Sequence, residues 1–411
     1  MIDDLFRLSQ NFLTIHNRKY IRYFIRVNPL QNRFSIIVGQ RGVGKTTAII
    51  QYLLRSYDEN PFTPKVLYVQ SDHFRIAEQS LYEIAEQFYN LGGELICFDE
   101  IHKYPMWAGE LKSINDTFPK LKIIASGSSA LEIYRGSHDL SRRAVVYRMW
   151  GMSFREYIEL TAGVEFRPHR LEDIIKNHQG LAHEAVKTLE TKKKKVLRLF
   201  EEYLDWGYYP YFFEYNDKEL FYLTLEQNVR TTLESDLMAI YPSLSGNTVN
   251  KIKKLLAIIA ASVPFTPDLR KIKTLLEIGD ERTLKTYLKY LEDAGIILTV
   301  SKTGQGLRLL EKPEKIYLNN PNLIQAIAGS PQANRGNLRE TFFLNMLRNL
   351  YEVSIPARGD FLVGKGYTFE VGGKKKTYDQ IKDLPHSYLA VDDMEVGVGN
   401  KIPLWIFGFL Y

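Results

Sequence analysis

The chain has 411 residues, of which 45% are hydrophobic and 25% are charged. This length allows several hydrophobic cores, and this composition excludes a disordered or fibrous chain. The formal net charge of +6 is small for the size of the chain, so it neither requires nor excludes a polyanionic partner. The single cysteine, Cys97, excludes an intrachain disulfide framework and a cysteine-rich zinc module.

The sequence also bears on localisation. The first residues carry acidic side chains and lack the basic segment and apolar core of a secretory signal. The longest apolar stretch, residues 255–265, has 11 residues, whereas a membrane-spanning helix needs roughly 20. We therefore expect a cytoplasmic protein in a reducing compartment, without a membrane span.

The first 150 residues alternate short apolar runs with amphipathic stretches. The runs are typical of strands buried on both faces, and the stretches between them are typical of crossover helices. This pattern predicts a doubly wound α/β fold with a parallel sheet, preceded by one or two helices within residues 1–30. The predicted strands are residues 34–39, 66–71, 95–100, 121–127 and 144–150.

The remainder of the chain predicts further domains. Apolar residues at helical spacing predict helices from residue 151 to about 264, and four lysines at 192–195 are predicted to open one of them. Two helices and a strand–turn–strand pattern over 265–320 predict a winged helix-turn-helix. A helix followed by strand-like runs, up to residues 403–411, predicts a small α/β domain. The predicted domains are residues 1–160, 161–264, 265–320 and 321–411.

Residues 39–46, GQRGVGKT, match the phosphate-binding pattern G-x-x-x-x-G-K-[ST] between a predicted strand and a predicted helix. Glycines allow successive backbone N–H groups to wrap around phosphate oxygens, and the helix N-terminus adds partial positive charge. Lys45 is predicted to reach the β- and γ-phosphates of ATP, and Thr46 to ligate Mg²⁺. The predicted nucleotide-binding residues are Gly39, Gln40, Arg41, Gly42, Val43, Gly44, Lys45, Thr46 and Thr47.

Polar residues end the third and fourth predicted strands of this region. Asp99, at the end of LICFDE, is predicted to hold the Mg²⁺ shell, and Glu100 to act on the attacking water as general base or orienter. Ser126 and Ser128 end the following strand, where a hydroxyl can sense the γ-phosphate. Together with the phosphate loop, the acid pair indicates hydrolysis of ATP rather than binding alone.

Arginines precede the fifth predicted strand at Arg135, Arg142 and Arg143. One of them could act on the γ-phosphate, either in cis or in trans on a neighbouring subunit. His102 follows the acid pair, but no second ligand stands at metal-binding spacing, so we assign it no metal.

These motifs, together with DLSRRAVVYRMWGMSF, EEYLDWGYYP and KPEKIYLNNPNL, resemble those of AAA-type ATPases found in multiple copies in archaeal and Bacteroidetes-type genomes. The resemblance covers nearly the whole chain. It implies a P-loop ATPase domain, a winged helix and a C-terminal restriction-endonuclease-like domain. Arg143 aligns best with the family's arginine, but the chain has Ser141-Arg142-Arg143 where the family often has Ser-Gly-Arg, so Arg142 stays open.

The second predicted helix of the winged region has two distinct faces. Leu284, Tyr287, Leu288 and Leu291 share an apolar face, and the opposite face carries Arg282, Lys285 and Lys289. Such a basic stripe suits double-stranded DNA, although winged helices also serve as protein-contact modules.

Acidic residues of the last domain follow the order used by restriction-endonuclease-like enzymes, which hold Mg²⁺ with acids and a lysine. The candidates are Glu340, Asp360, Glu370 and Lys374. Three residues separate Glu370 from Lys374, where the usual motif is acid-x-Lys, so both an active nuclease and a catalytically inactive clamp stay open.

The sequence thus predicts a Mg²⁺-dependent ATPase that couples its nucleotide state to a DNA or protein partner. The alternatives are an ATP-dependent switch without turnover and an ATP-regulated nuclease. The oligomeric state is left open by the sequence.

Overall fold

The computed structural model describes residues 2–58, 60–76, 79–127, 140, 142–241, 243–261, 264–302, 313–328, 334–364 and 366–411. It divides into two compact units, one of Met1–Gly151 with Ser235–Ser243 and the other of Met152–Glu234 with Leu244–Tyr411. The finer division into four domains stays a prediction. Ser128 and Arg135, for which we predicted roles, lie outside the described residues, as does most of the predicted wing.

The first unit contains a parallel sheet, which confirms the predicted α/β class. Within the described residues its strand order is β2-β3-β4-β1-β5, and every neighbouring pair runs parallel. The runs of apolar and β-branched residues suit strands covered on both faces. The strands are β1 (Phe34–Val38), β2 (Val66–Gln70), β3 (Leu95–Asp99), β4 (Lys122–Gly127) and β5 (Val145–Arg148).

Helices cover this sheet by burying one apolar stripe each. In the fourth helix, for example, Leu81, Ile84, Ala85 and Phe88 recur at helical spacing and are buried, and Ser80 and Glu83 form a capping box at its start. The helices are α1 (Ile2–Ile15), α2 (Tyr23–Val27), α3 (Lys45–Arg55), α4 (Leu81–Asn90) and α5 (Trp107–Thr117), with a 3₁₀ turn at Ile101–Lys103.

The prediction that all five strands are buried on both faces is wrong for β5. This strand lies at the edge of the sheet and pairs with β1 along one side. Val145 is 38% exposed, whereas all five residues of β1 are buried. Its apolar residues resemble those of a central strand. Whether a strand lies at the edge depends on the strand order of the whole sheet, which the strand's own residues do not show.

The second unit begins with helices, as predicted. The four lysines, however, precede the helix instead of opening it: Lys193 has φ +57°, a left-handed conformation that ends the preceding helix, and the next helix begins at Val196. All four are exposed, as expected of a solvated segment. The helices up to residue 231 are α6 (Phe154–Ala162), α7 (Leu171–Thr191), α8 (Val196–Trp206) and α9 (Lys218–Thr231). The next helix, α10 (Leu237–Ile240), belongs to the first unit. The second unit continues with α11 (Gly246–Ala260), α12 (Leu269–Leu275) and α13 (Glu281–Asp293).

A small antiparallel sheet follows α13. Its strands β6 (Ile297–Val300) and β7 (Lys315–Leu318) pair with each other, and Phe265 forms a bridge to Ile316. The four apolar residues predicted for one face of α13 are buried. Residues 246–318 therefore run helix, bridge, helix, helix, strand, strand, with most of the connection between β6 and β7 outside the described residues.

Helices α14 (Pro321–Ala328) and α15 (Arg335–Arg348) lead to a mixed sheet. Its order is β12-β11-β10-β9-β8; β8, β9 and β10 pair antiparallel, and β10, β11 and β12 pair parallel. The strands are β8 (Val353–Ser354), β9 (Phe361–Val363), β10 (Tyr367–Gly372), β11 (Ser387–Val391) and β12 (Lys401–Pro403).

The prediction of a strand over 403–411 is wrong for most of that segment. Leu404–Phe409 form a 3₁₀ helix in which all six residues are buried. A short, continuously apolar run does not by itself distinguish a strand from a buried helical turn.

Asparagine side chains hold the end of α8 in the second unit. Asn322 accepts a hydrogen bond from the Tyr208 N–H (2.8 Å) and donates to the carbonyl of Leu204 (3.0 Å). Asn320 donates to the Tyr209 hydroxyl at 3.0 Å. Because these amides are buried, each satisfied bond fixes the geometry around it.

In the described ranges, none of the helices has the length and hydropathy needed to cross a bilayer.

Candidate nucleotide site

The loop between β1 and α3 depends on its glycines for two reasons. Gly42 and Gly44 have φ +85° and +93°, which side chains with a Cβ rarely adopt. Gly39 is required by close approach, because a Cβ there would lie 2.4 Å from the carbonyl oxygen of Met149. The loop can therefore wrap closely before α3 begins at Lys45.

Lys45 is buried and folded back on this loop. Its Nζ donates to the carbonyl oxygens of Gly39 and Gln40, each at 3.0 Å. Burial lowers the pKa of Lys45, and the nearby carboxylates of Glu100 and Asp99 act in the opposite direction. The ammonium is thus held at the loop by bonds that a phosphate oxygen could replace.

The fully buried carboxylate of Asp99 brings three strands and the loop together. Its Oδ2 accepts hydrogen bonds from the Thr46 and Tyr68 hydroxyls, both at 2.6 Å. Its Oδ1 accepts from the Ser126 hydroxyl and from the Glu100 N–H. Since β4 lies between β1 and β3, Ser126 is placed between the loop and the acid pair.

Glu100 has a strained backbone with φ +52°, and such outliers in non-glycine residues are enriched at functional sites. Its Oε2 lies 3.6 Å from Nε2 of His102. Among the described side chains, none donates a hydrogen bond to this buried oxygen. Oε2 of Glu100 therefore lies beside the phosphate loop without a hydrogen-bond donor among the described residues.

Arg143 lies at the amino ends of the strands, whereas the phosphate loop lies at their carboxyl ends. It forms a two-bond ion pair with Asp116, at 2.8 and 2.9 Å, which raises the pKa of the guanidinium. In the register of β5 on β1, Val145 is opposite Ser35 and Arg148 is opposite Val38. Arg143 therefore precedes the amino end of β5, whereas the phosphate loop follows the carboxyl end of β1. Arg142 is exposed.

Sequence reasoning missed side chains that support the site. Tyr68 hydrogen-bonds Asp99, as described above. The buried Arg22 donates hydrogen bonds to the backbone carbonyls of Val43 and Trp150, the latter at 2.9 Å. It thus links the phosphate loop to the segment after β5. Neither residue belongs to a local motif, so nothing in the sequence marked it. Asp236 also reaches this site, through Arg41.

The acidic residues predicted for the C-terminal domain lie with two lysines. Glu370 is 1% exposed and pairs with Lys376 at 2.7 Å, while the predicted Lys374 is exposed. Lys315 lies 3.4 Å from Oε2 of Glu340 and 3.8 Å from Oδ1 of Asp360. The lysine that reaches Glu370 is therefore Lys376 and not Lys374, brought back by the turn after β10.

Burial raises the pKa of Glu340, and the negative charge of Asp360 raises it further. Asp360 also accepts the Val371 N–H at 2.9 Å. In the part of the chain that the structure describes, no group of three or more His, Cys, Asp or Glu residues could hold a metal ion. At the phosphate loop, the Thr46 hydroxyl and the Asp99 carboxylate are adjacent hard oxygens, which are the ligand type that suits Mg²⁺.

Comparison with known proteins gives relatives at low identity. The uncharacterized protein MJ1637 of Methanocaldococcus jannaschii is 28% identical over 301 residues, which are 68% of this chain and 59% of that protein. The match thus spans less than two thirds of the relative's length. The Walker-type ATPase PABY2304 of Pyrococcus abyssi is 12% identical, with a TM-score of 0.42, over 74% of this chain and 93% of its own. AMPPCP-bound DnaA of Aquifex aeolicus is 14% identical, with a TM-score of 0.27, over 71% and 88%.

Residues 31–158 match the family model described as an AAA domain. The chain contains an AAA-type P-loop ATPase domain. Residues 197–334 match a domain of unknown function (DUF8612), which leaves the role of that region to be proposed.

The close approach at Gly39 generates a prediction. In Gly39→Ala, the new methyl group would meet the Met149 carbonyl, so the loop must shift. Loss of one charge-assisted hydrogen bond to phosphate costs about 1.5–3 kcal/mol, which lowers affinity about 10-fold or more. Titration with a fluorescent ATP analogue measures this loss.

The matched control is Gly109→Ala in α5, where nothing lies within 4 Å of the added Cβ. It should bind the analogue normally and gain about 0.5–1 kcal/mol of stability, because alanine favours a helix interior. Normal affinity in Gly39→Ala would contradict the account of the loop.

Proposed function

We propose that this protein binds ATP with Mg²⁺ at residues 39–47 and hydrolyses it. The observation that carries the proposal is the Asp99 carboxylate, which accepts hydrogen bonds from Thr46 of the loop and Ser126 of β4. The phosphate loop, Asp99 and Ser126 thus lie together at the carboxyl ends of the strands, beside Glu100.

The roles of the side chains follow from their positions. Loop N–H groups and the N-terminus of α3 bind phosphate oxygens, and Lys45 exchanges two loop carbonyls for the β- and γ-phosphates. Thr46 and Asp99 would hold Mg²⁺, which would neutralise phosphate charge. Glu100 orients and deprotonates the attacking water, and Ser126 holds Asp99 in place.

Replacing Glu100 by Gln should leave ATP bound and slow turnover about 10²–10⁴-fold, the usual contribution of a general base. The measurements are phosphate release and the affinity for a fluorescent ATP analogue. Lys45→Ala is the reference for a site that has lost phosphate binding.

Equal loss of binding and turnover in Glu100→Gln would show that Glu100 is a ligand or a structural residue. If the wild-type protein binds ATP but releases no more phosphate than Lys45→Ala, with or without DNA, the switch without turnover is the correct function.

We infer that Arg143 serves a nucleotide held by a neighbouring copy of the chain. It precedes the amino end of β5, and its own phosphate loop lies at the carboxyl end of the parallel β1. An arginine at the amino ends of the strands therefore approaches phosphate in trans, which makes an oligomer part of this proposal.

We also propose that the predicted winged helix, residues 265–320, contacts duplex DNA through α13. The order of its helices and strands supports this proposal, and so does the polar face of α13. Arg282 and Lys289 are exposed and Lys285 is half-buried, while the opposite face is buried. Lys289 also pairs with Asp293 at 2.8 Å on the same face.

The corresponding variant changes Arg282, Lys285 and Lys289 to Gln. Each lost phosphate contact should reduce the slope of log affinity against log salt by roughly 0.9, and affinity should fall about equally for all sequences. Fluorescence anisotropy of labelled duplexes at several salt concentrations measures both.

The matched control removes the same number of charges at Lys192, Lys193 and Lys194, which are all exposed. An unaltered slope in the α13 variant would assign α13 to protein contact. A reduced slope in the control alone would move DNA binding to the lysine segment.

For the C-terminal region we propose a module that does not cleave nucleic acid. Two ammonium groups, from Lys315 and Lys376, already lie against Glu340, Asp360 and Glu370. The carboxylates are thus neutralised by the chain's own lysines.

The prediction is that the purified protein, with ATP and either Mg²⁺ or Mn²⁺, leaves supercoiled and linear DNA intact. Gel electrophoresis after prolonged incubation is the measurement, with Glu370→Gln as the control for a contaminating nuclease. Cleavage by the wild type that disappears in Glu370→Gln would establish the ATP-regulated nuclease instead.

A further inference from the structure

Residues 235–243 join the first unit although the chain on both sides of them belongs to the second. They follow α9 through a single π-helical turn, Thr232–Asp236. Such turns are rare, and they occur frequently at functional sites. The last residue of this turn, Asp236, brings a carboxylate to the nucleotide site from 195 positions beyond the phosphate loop.

The side chain of Asp236 is 4% exposed and lies against two different parts of the site. Its two oxygens accept hydrogen bonds from Nη2 of Arg41, at 3.3 and 3.4 Å. Its Oδ1 lies 3.9 Å from Nε2 of His102. The same imidazole nitrogen lies 3.6 Å from Glu100, so His102 stands between the carboxylates of Asp236 and Glu100.

Asp236 keeps its negative charge in this position. Burial alone would raise its pKa, but the hydrogen bond with His102 and the positive charge of Arg41 hold the pKa below its ordinary value. The negative charge of Asp236 also acts to raise the pKa of Lys45, against the larger lowering by burial. A fixed negative charge so close to the loop repels phosphate. A carboxylate at this position therefore indicates a function that outweighs its cost to nucleotide binding.

We propose that Asp236 is a positioning residue of the ATPase site, which holds Arg41 of the phosphate loop and, through His102, the side chain of Glu100. This inference rests on the proposed ATPase function. It makes the segment 235–243 part of the catalytic arrangement. Asp236 touches neither the water nor the nucleotide; it sets the position of the groups that do.

The electrostatics predict opposite effects on binding and turnover in Asp236→Asn. Removal of the negative charge should leave ATP affinity unchanged or higher, because repulsion of phosphate falls and Arg41 is released. Turnover should fall about 10- to 100-fold, since a misplacement of about 1 Å can cost about 100-fold in rate. The readouts are kcat from phosphate release, Kd for a fluorescent ATP analogue, and Tm of the full chain.

Further variants separate positioning from a structural role. Asp236→Glu keeps the charge and should recover part of the lost kcat. His102→Asn removes the nitrogen that faces both carboxylates, so the double variant with Asp236→Asn should be no slower than the slower single variant. The matched control is Asp72→Asn, which removes a partly exposed carboxylate paired with Lys103, next to His102 in the chain.

Wild-type kcat in Asp236→Asn would overturn the proposal, as would a joint fall of kcat, ATP affinity and Tm that Asp236→Glu does not relieve. Multiplicative losses in the double variant would contradict action through His102. If the wild type itself releases no more phosphate than Lys45→Ala, the ATPase function fails, and this inference fails with it. The wild-type assay thus distinguishes the two failures.

Discussion

The nucleotide site depends on a buried carboxylate. Asp99 has no exposure to solvent, and an isolated carboxylate in such surroundings costs several kcal/mol. Here Thr46, Tyr68, Ser126 and the Glu100 N–H all donate hydrogen bonds to it. The donors come from α3, from β2, from β4 and from the residue after β3. The charge is therefore stabilised only when the sheet is correctly assembled, and the same assembly brings the parts of the site together.

The strand order extends this dependence to the rest of the first unit. With β4 between β1 and β3, the carboxyl ends of three strands meet where the phosphate loop begins. With β5 at the edge, the backbone at Met149 presses on Gly39 and leaves no room for a side chain. The amino ends of the strands carry Arg143 and Asp116, away from the phosphate loop of the same chain, which follows the carboxyl end of β1. The two ends of the strands therefore have separate chemistries.

Carboxylates and lysines are combined differently in the two units. At the phosphate loop, Lys45 is held by backbone carbonyls, which can be exchanged for an anion without leaving a bare carboxylate. Near the C-terminal sheet, Lys376 and Lys315 are held by the carboxylates themselves. Removing Lys376 would leave the buried carboxylate of Glu370 without a counter-charge, which is destabilising. The first arrangement suits binding of a ligand, and the second suits a stable fold.

The parts of the molecule that the sequence determined by itself are those built from neighbouring residues. The phosphate loop needs only a strand, glycines at fixed positions and a helix that begins at Lys45, so its local pattern was sufficient. The buried runs of β1 to β4 and the apolar face of α13 were also legible, because burial imposes a regular spacing. The spacing of apolar residues predicted the wrong burial for β5 and the wrong secondary structure for Leu404–Phe409. The strand order decides the first, and burial on all sides decides the second.

Only the tertiary structure showed that Tyr68 reaches Asp99, that Lys376 replaces Lys374 beside Glu370, and that Asp236 joins Arg41 and His102. An ion pair or hydrogen bond depends on distance in space, and residues 195 positions apart carry no shared pattern along the chain to reveal it.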